Sequence, residues 1–274
     1  MIERRAGELV YFQFRLLAQY PQVVHGISGR RGDPARRPRG LNLSFFGAER
    51  PEEIVAARQE VCAALGLRLE ELVAPRQVHG KRVAAVSLAD RGRGAFERES
   101  ALPETDALTT ADAGVALFVS AADCVPLLFF DPVVGAIGAA HAGWRGTVAK
   151  IAAETVTAMG ERYGSRPADL IVGIGPAIGP CCYAVGDEVV EAVAGAFGDT
   201  RGLVSPARDG RRHLDLWAAN RTALLAAGVR PENIERADIC TACRRDIFFS
   251  HRAEGGRAGR FGAIIAMRGD GSAG

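Results

Sequence analysis

The chain has 274 residues, and 48% of them are hydrophobic, so it is long enough and apolar enough to bury a large core. Its 34 basic and 32 acidic side chains leave a net charge of +2, which argues against a protein that binds nucleic acid through bulk charge. Six cysteines in a chain of this size favour free or metal-bound thiols in a reducing compartment over a disulfide framework.

The sequence predicts neither a signal peptide nor a membrane span. Near the amino end, Gln13, Arg15 and Gln19 interrupt the stretch in which a signal peptide would need its apolar region. No apolar run approaches the roughly 18 residues that a membrane-spanning helix requires. We therefore expect a cytoplasmic protein with no membrane partner and no nucleic-acid partner.

The first half of the chain contains one clear helix and the beginning of a sheet. Residues 51–65 are predicted to be helical, because Pro51 and two glutamates open the segment and Gly66 follows it. Residues 90–103 are rich in Gly, Arg and Glu, which is typical of a surface loop. The sheet region is predicted to begin with the apolar residues 117–119.

A two-stranded hairpin follows in the middle of the chain. Residues 125–130 and 135–140 are apolar runs, and Asp131 and Pro132 between them are turn residues. A tight turn centred between Pro132 and Val133 would place Cys124 directly opposite His141, with Cβ atoms roughly 4.5 to 5.5 Å apart. The sequence therefore predicts that this thiol and this imidazole meet.

Helices and strands alternate in the rest of the chain. Thr147 is a plausible N-cap for a helix over residues 148–163, and Asp215 for a helix over 215–227 that ends at Gly228. The remaining predicted elements are a strand at 170–174, a helix at 187–197 and a strand at 261–267.

Neither an internal repeat nor a linker interrupts residues 1–274. We therefore predict a single compact domain of the α+β (mixed α/β) class. In it, mixed sheets are flanked by helices and the central hairpin carries the functional site.

Cys124 and His141 are suited to bind a metal ion together. Zinc binds sulfur at about 2.3 Å and imidazole nitrogen at about 2.0 to 2.1 Å, so a cross-strand pair could share one ion. His79 is the best third ligand, because Pro75 and Gly80 bracket it on a predicted turn. Three protein ligands leave one position open for chemistry. The alternative is that Cys124 is a small buried hydrophobe and both histidines are packed or turn residues.

The other cysteines and histidines give weaker signals. Cys240 and Cys243 have the two-residue gap of a zinc or redox motif, but no second pair has that spacing, so we interpret them as structural. Adjacent Cys181 and Cys182 are expected to line a packed loop. We expect a structural role for His251 and none at the site for His25 or His213.

Short motifs in a fixed order run through nearly the whole chain. They are GISGR at 26–30, LNLS at 41–44, RQVHG at 76–80, TDAL at 105–108, ADCVP at 122–126, AHAGWRG at 140–146, GPAIG at 175–179, CCY at 181–183 and FSHR at 249–252. This set resembles the laccase-domain, YfiH-type family. Members of that family are also called polyphenol oxidases and peptidoglycan editing factors.

The resemblance implies a purine nucleoside enzyme whose zinc is held by two histidines and one cysteine. In this chain those ligands are His79, His141 and Cys124. The implied reaction is phosphorolysis of adenosine, inosine or methylthioadenosine to free base and ribose 1-phosphate, with adenosine deaminase activity in the same site. Copper is a second candidate metal, because cysteine and histidine ligands accept both ions and availability decides.

Phosphorolysis requires groups that hold phosphate beside the sugar, and guanidinium groups do this bidentately. Arg58 matches an arginine that the family places at the active site, and Arg145 is adjacent to His141 in sequence. Asp123 could carry a proton in a deamination. The plainer interpretation is that Arg58 lies exposed on a helix face and that Asp123 binds backbone amides.

Three other functions compete with this hypothesis. One is a hydrolase that edits a peptidoglycan precursor, with Cys124 as nucleophile and His141 as base. Another is a binding module that holds a metal without catalysis. The third, a copper-dependent polyphenol oxidase, is disfavoured because several copper centres need more than the five histidines of this chain.

Overall fold

The computed structural model describes residues 1–32, 40–46, 50–208 and 210–269. Strands and α-helices alternate within these ranges. The strands are β1 (Ile2–Ala6), β2 (Leu9–Gln13), β3 (Val23–Ser28), β4 (Leu72–Val73), β5 (Val83–Ala85), β6 (Ala107–Thr110), β7 (Ala116–Ala121), β8 (Val125–Asp131), β9 (Ala136–Ala142), β10 (Ile171–Ile174), β11 (Ala184–Val185), β12 (Val204–Arg208), β13 (Arg211–Leu214), β14 (Ile234–Arg236) and β15 (Phe261–Met267). The helices are α1 (Pro51–Ala64), α2 (Trp144–Val148), α3 (Ile151–Tyr163), α4 (Asp187–Phe197) and α5 (Leu216–Ala226).

The strands form two six-stranded sheets and one three-stranded sheet within the described ranges. The first large sheet has the order β1-β2-β3-β15-β7-β4, and the second has the order β14-β10-β8-β9-β6-β5. Most neighbours are antiparallel, whereas β4 with β7, β10 with β14 and β5 with β6 are parallel. Mixed sheets with flanking helices confirm the predicted α+β class.

The two large sheets pack face to face, and helices cover their outer faces. On β8, Leu128 and Phe130 belong to the core between the sheets, whereas Leu127 and Phe129 pack on the helix side with residues of α3 and α5. Residues of α1, such as Val61, pack against the outer face of the first sheet. Side chains alternate between the two faces of a strand, so each position on β8 and β9 has a defined face.

The hairpin register differs from the prediction. His141 on β9 pairs with Pro126, so Cys124 is not directly opposite it. The carboxylate of Asp131 accepts hydrogen bonds from two backbone amides of the loop, and Gly135 adopts a φ of 68°. These contacts produce a loop centred one residue later than the expected tight turn. Because the register moves by two positions, Cys124 remains on the face of His141 as a diagonal neighbour.

The predicted helix over 148–163 is divided into two. Lys150 has a left-handed φ of 60° between α2 and α3, which interrupts the helix. Gly143, and not Thr147, is the N-cap of α2. Thr147 is buried, and its hydroxyl instead accepts a hydrogen bond from the Asn220 side chain of α5 at 3.0 Å.

Several other predicted elements are confirmed. The helix at 187–197 and the strand at 261–267 have the bounds of α4 and β15. The Asp215 carboxylate caps α5 by accepting the Ala218 amide at 2.9 Å. In the part of the chain that the structure describes, none of the helices has the length and apolar character needed to cross a bilayer.

His25 on β3 is a fully buried titratable group far in sequence from the candidate ligands. Its Nε2 accepts the Phe14 amide at 2.9 Å, so the neutral ring is needed for this hydrogen bond. Burial lowers the pKa of His25 from 6.5 to about 4, against a smaller opposing effect of the Phe14 contact. Between pH 6.5 and about 4, the unfolded chain therefore binds a proton at His25, whereas the native chain does not.

We predict that this difference destabilises the protein in mild acid. The contribution of neutral His25 to stability is complete above pH 6.5 and is lost as the pH falls toward 4. Relative to pH 7, it amounts to a loss of about 2 kcal/mol at pH 5. His25→Gln keeps an acceptor for the Phe14 amide but does not titrate, so its unfolding free energy should depend less on pH over this interval.

Denaturant titrations at several pH values measure this effect. His251→Gln is the matched control, because His251 is exposed. Equal pH slopes for the wild type and the His25 variant would contradict the prediction.

Candidate metal centre

The three predicted metal ligands converge at the edge of the space between the two large sheets. One ligand atom from each of His79, Cys124 and His141 lies within 4.8 Å of the others. The two imidazole rings meet edge to face, with centroids 4.9 Å apart. His141 is buried, Cys124 half-buried and His79 exposed. Two nitrogens and one sulfur at this spacing can bind one zinc ion and leave a coordination position open.

Alternation along the strands explains why His141 faces this space. Ile137 and Ala139 on β9 belong to the core between the sheets, and His141 follows them on the same face. The register of β6 with β9 places Asp106 beside His141, and the His141 amide donates to the Asp106 carbonyl at 2.8 Å. Two polar side chains thus lie next to each other at the end of an apolar layer.

The carboxylate of Asp106 orients both histidines. It is fully buried, and its Oδ1 lies 3.0 Å from Nδ1 of His141, which leaves Nε2 of that ring available for a metal. The same carboxylate accepts the backbone amides of Val78, His79 and Gly80 at 3.1, 2.9 and 2.8 Å. These amides hold His79 at a φ of 63°, a left-handed conformation that is costly for a residue other than glycine.

Charges within the group favour a thiolate next to an imidazolium in the metal-free protein. Burial alone would raise the pKa of Cys124, but the charge of His141 and hydrogen bonds from both imidazoles lower it to about 6. Burial alone would lower the pKa of His141, but the Cys124 thiolate and Asp106 raise it to about 9. For Asp106, burial is outweighed by the His141 contact and the backbone amides, so its pKa is lowered. A metal ion would bind the thiolate and neutral imidazoles, and protons would be released.

Two further features of the chain help to position these ligands. Gln77 exchanges hydrogen bonds of 2.9 Å with the backbone of Ser120, which attaches the His79 segment to β7 of the first sheet. Gly143 lies so close to the group that a Cβ there would be 2.9 Å from Cδ2 of His79 and 3.0 Å from Sγ of Cys124. Glycine is therefore required for the three donors to approach one another.

The group opens into a cavity of about 440 Å³, a size suited to a small organic ligand. Of the residues that the structure describes, six arginines line the cavity, against one carboxylate from Asp123, so it favours an anion. Aromatic rings of Phe45, Phe118, Trp144 and Tyr183 form other parts of the wall. The lining arginines are Arg58, Arg76, Arg98, Arg145, Arg252 and Arg260.

Arg58 is buried on α1, so the interpretation that it lies exposed on a helix face is wrong. Its guanidinium donates to the carbonyls of Leu43, Gly94 and Ala95 and stacks on the Phe45 and Phe118 rings. Among the described residues, no carboxylate contributes to the charges that act on it. Burial accordingly lowers its pKa to about 9. This buried, unneutralised cation lines the cavity.

Arg145 and Asp123 also line the cavity but differ in their contacts. Arg145 is exposed, with its guanidinium 4.2 Å from the centroid of the Trp144 ring. Asp123 is buried, and its carboxylate accepts the Thr241 hydroxyl at 2.6 Å and the Arg252 amide at 2.7 Å. Both carboxylate oxygens are thus engaged, which favours a positioning role for Asp123 over proton transfer.

Sequence reasoning missed two features of this region. Asp106 lies in the motif TDAL, yet only the strand register and the turn around His79 reveal its contacts with both histidines. The second feature is a convergence of Cys181 and Cys182 with Cys240 and Cys243, which the sequence analysis treats as two unrelated pairs. Cys182 and Cys243 lie 61 residues apart, so no local spacing links them.

Comparison with known proteins finds relatives over nearly the whole chain. Residues 24–268 match the family model described as multi-copper polyphenol oxidoreductase laccase. The chain is 40% identical to purine nucleoside phosphorylase YlmD of Geobacillus stearothermophilus over 90% of both chains. It is 39% identical to adenosine deaminase RL5 of an unknown prokaryotic organism, over 89% of this chain and 94% of the other.

A solved structure shares this fold. The crystal structure of the hypothetical protein YfiH of Bacillus licheniformis superposes with a TM-score of 0.89 and 34% sequence identity, covering 97% of this chain and 99% of that one. The motif order, the fold and the matched length together place the chain in the laccase-like, YfiH-type family, that of the multi-copper polyphenol oxidoreductase laccase model.

Proposed function

We propose that this protein is a zinc-dependent purine nucleoside phosphorylase. The observation that carries the proposal is the open His79, Cys124 and His141 group in a cavity lined by six arginines and several aromatic rings. The names of relatives at 40% and 39% identity, a purine nucleoside phosphorylase and an adenosine deaminase, support a purine nucleoside as substrate.

The donor set fits zinc. One sulfur and two imidazole nitrogens form a three-ligand set typical of catalytic zinc sites, and Asp106 supplies the carboxylate partner that metal-binding histidines usually have. Bound there, zinc would supply Lewis-acid chemistry and could activate water for a side reaction of deamination. Of the five histidines, only His79 and His141 belong to the group, which does not support several copper centres.

The arginines of the cavity can bind the phosphate that the proposed reaction requires. In phosphorolysis a phosphate oxygen forms a bond to the anomeric carbon, the glycosidic C–N bond breaks, and the purine leaves with a proton. We assign phosphate binding to Arg58, whose charge no described carboxylate neutralises, and to Arg145. Phe45, Trp144 and Tyr183 offer aromatic surface on which the base can stack. Adenosine, inosine and methylthioadenosine all match this chemistry.

The decisive experiment measures hypoxanthine and ribose 1-phosphate released from inosine by the purified protein, with and without phosphate. Product release should require phosphate, which is a substrate of the proposed reaction. It should stop when a chelator removes the zinc and return when zinc is added. Cys124→Ala should abolish it. Cys62→Ala is the matched control and should retain activity, since Cys62 is a buried residue of α1 that does not line the cavity. Equal release without phosphate would contradict a phosphorylase.

One observation favours a second function. Asp106, His141 and Cys124 are connected in the order of a carboxylate, an imidazole and a lowered-pKa thiol, as in a cysteine hydrolase. In that case activity would survive the chelator and be lost on thiol alkylation. Loss of activity with either treatment supports zinc.

Arg145 provides a test of phosphate binding that is independent of folding, because its side chain is exposed. Arg145→Gln should raise the KM for phosphate about tenfold, corresponding to the loss of one charge-assisted contact. The KM for inosine should change less. Arg162→Gln removes an exposed arginine outside the cavity and should change neither constant. An unaltered phosphate KM in the Arg145 variant would exclude that residue from the phosphate site.

Asp106→Asn tests the orientation of the ligands. An amide group cannot accept hydrogen bonds from three backbone amides and from His141, so the variant should bind zinc about 10- to 100-fold more weakly. Competition with a chromogenic chelator measures the affinity. The control is Asp112→Asn, because Asp112 also accepts a backbone amide, that of Leu88 at 2.9 Å, but away from the site. If both variants keep wild-type affinity, Asp106 has no positioning role.

A further inference from the structure

Four of the six cysteines form a second cluster of possible ligands outside the proposed active site. The sulfur atoms of Cys181, Cys182, Cys240 and Cys243 all lie within 4.8 Å of one another. Two of these residues lie on the turn after Pro180, and the other two lie on the segment that follows β14. The proposed reaction does not involve any of these four cysteines.

The spacing of the sulfurs suits a single metal ion. Sγ of Cys243 lies 3.6 Å from Sγ of Cys181 and 3.4 Å from Sγ of Cys182. Four sulfurs at about 2.3 Å from a tetrahedral zinc ion are separated from one another by about 3.8 Å. The observed separations are close to this value. They are also well above the bond length of about 2.05 Å in a disulfide, so these sulfurs are separate thiols.

Backbone amides donate hydrogen bonds to the sulfur of Cys240. The Gly179 amide donates to it at 3.2 Å, and the Cys243 amide is a second donor from within the same loop. Amide hydrogen bonds to a cysteine sulfur stabilise the thiolate form, which is the form that binds metal. An isolated bridge between Ala177 and Cys240 holds the two segments in register. The ligands are therefore preorganised on backbone that is already fixed.

We infer that these four cysteines bind one structural zinc ion. Four thiolates complete a tetrahedral shell, so this ion has no open position and performs no catalysis. It connects the turn at 179–183 to the loop at 240–243.

The position of this cluster gives the ion a function. Thr241 lies between Cys240 and Cys243 and donates to Asp123 at 2.6 Å, and Tyr183 follows Cys182 and lines the cavity. The second ion would hold the segments that form this side of the cavity wall. Its effect on activity is thus indirect, through the position of Asp123 and Tyr183.

Elemental analysis of the purified full-length protein tests the inference. The wild type should contain about two zinc ions per chain, one in each cluster. Cys181→Ser combined with Cys243→Ser, both at exposed positions, should reduce the content to about one. Cys124→Ala should also reduce it to about one by emptying the other site, and Cys62→Ala should keep both. A double variant that retains the zinc content of the wild type overturns the proposal, whatever the enzyme assay gives.

A second measurement uses the wild-type protein and does not depend on how a variant folds. Cys181 and Cys243 are exposed, so as free thiols they would be accessible to iodoacetamide. Bound zinc should slow their alkylation about tenfold or more relative to the same protein after a chelator is added, as followed by mass spectrometry of the peptides. Equal alkylation rates before and after the chelator overturn the proposal. A protein mass lower by two hydrogens, which indicates a disulfide, overturns it as well.

Discussion

The candidate metal centre depends on one buried carboxylate. Asp106 accepts hydrogen bonds from the backbone on either side of His79 and from the ring of His141, so a single side chain fixes both imidazoles. It is buried with these partners, and the combined hydrogen bonds outweigh the cost of removing its charge from water. The unfavourable backbone conformation of His79 is maintained by the same contacts. Without this carboxylate, both histidines would lose a contact that orients them.

The charge of the cavity complements the chemistry of the centre. A divalent ion held by one thiolate would have its remaining charge balanced by the buried carboxylate of Asp106. The excess positive charge then lies on the cavity wall, where six arginines and the carboxylate of Asp123 are found among the described residues. Arg58 extends this field into the interior, where low dielectric strengthens its attraction for an anion. The backbone carbonyls of Leu43, Gly94 and Ala95 hold the guanidinium without neutralising it. The charge of the cavity therefore favours an anionic ligand over a neutral one.

The sequence predicted several elements and, with the family resemblance, the convergence of His79, Cys124 and His141, but not the contacts between distant segments. Hydrophobic periodicity and helix-capping residues predicted α4, α5 and β15, because these patterns depend only on residues close in sequence. The hairpin was recognised, yet its register depends on the Asp131 side chain and the φ of Gly135, which composition does not fix. Asp106 and the four-cysteine cluster depend on strand pairing and on two loops meeting in space. No local spacing in the sequence indicates that these distant segments meet.

The attachment of Gln77 to β7 has a consequence for the lifetime of the protein. Through it, the segment that contains His79 contacts the first large sheet, whereas His141 is a residue of the second. An ion shared by both histidines would connect the two layers, and its binding energy would add to their resistance to separation. Proteases act on transiently opened states, so an ion bound there would also slow proteolysis of the purified protein.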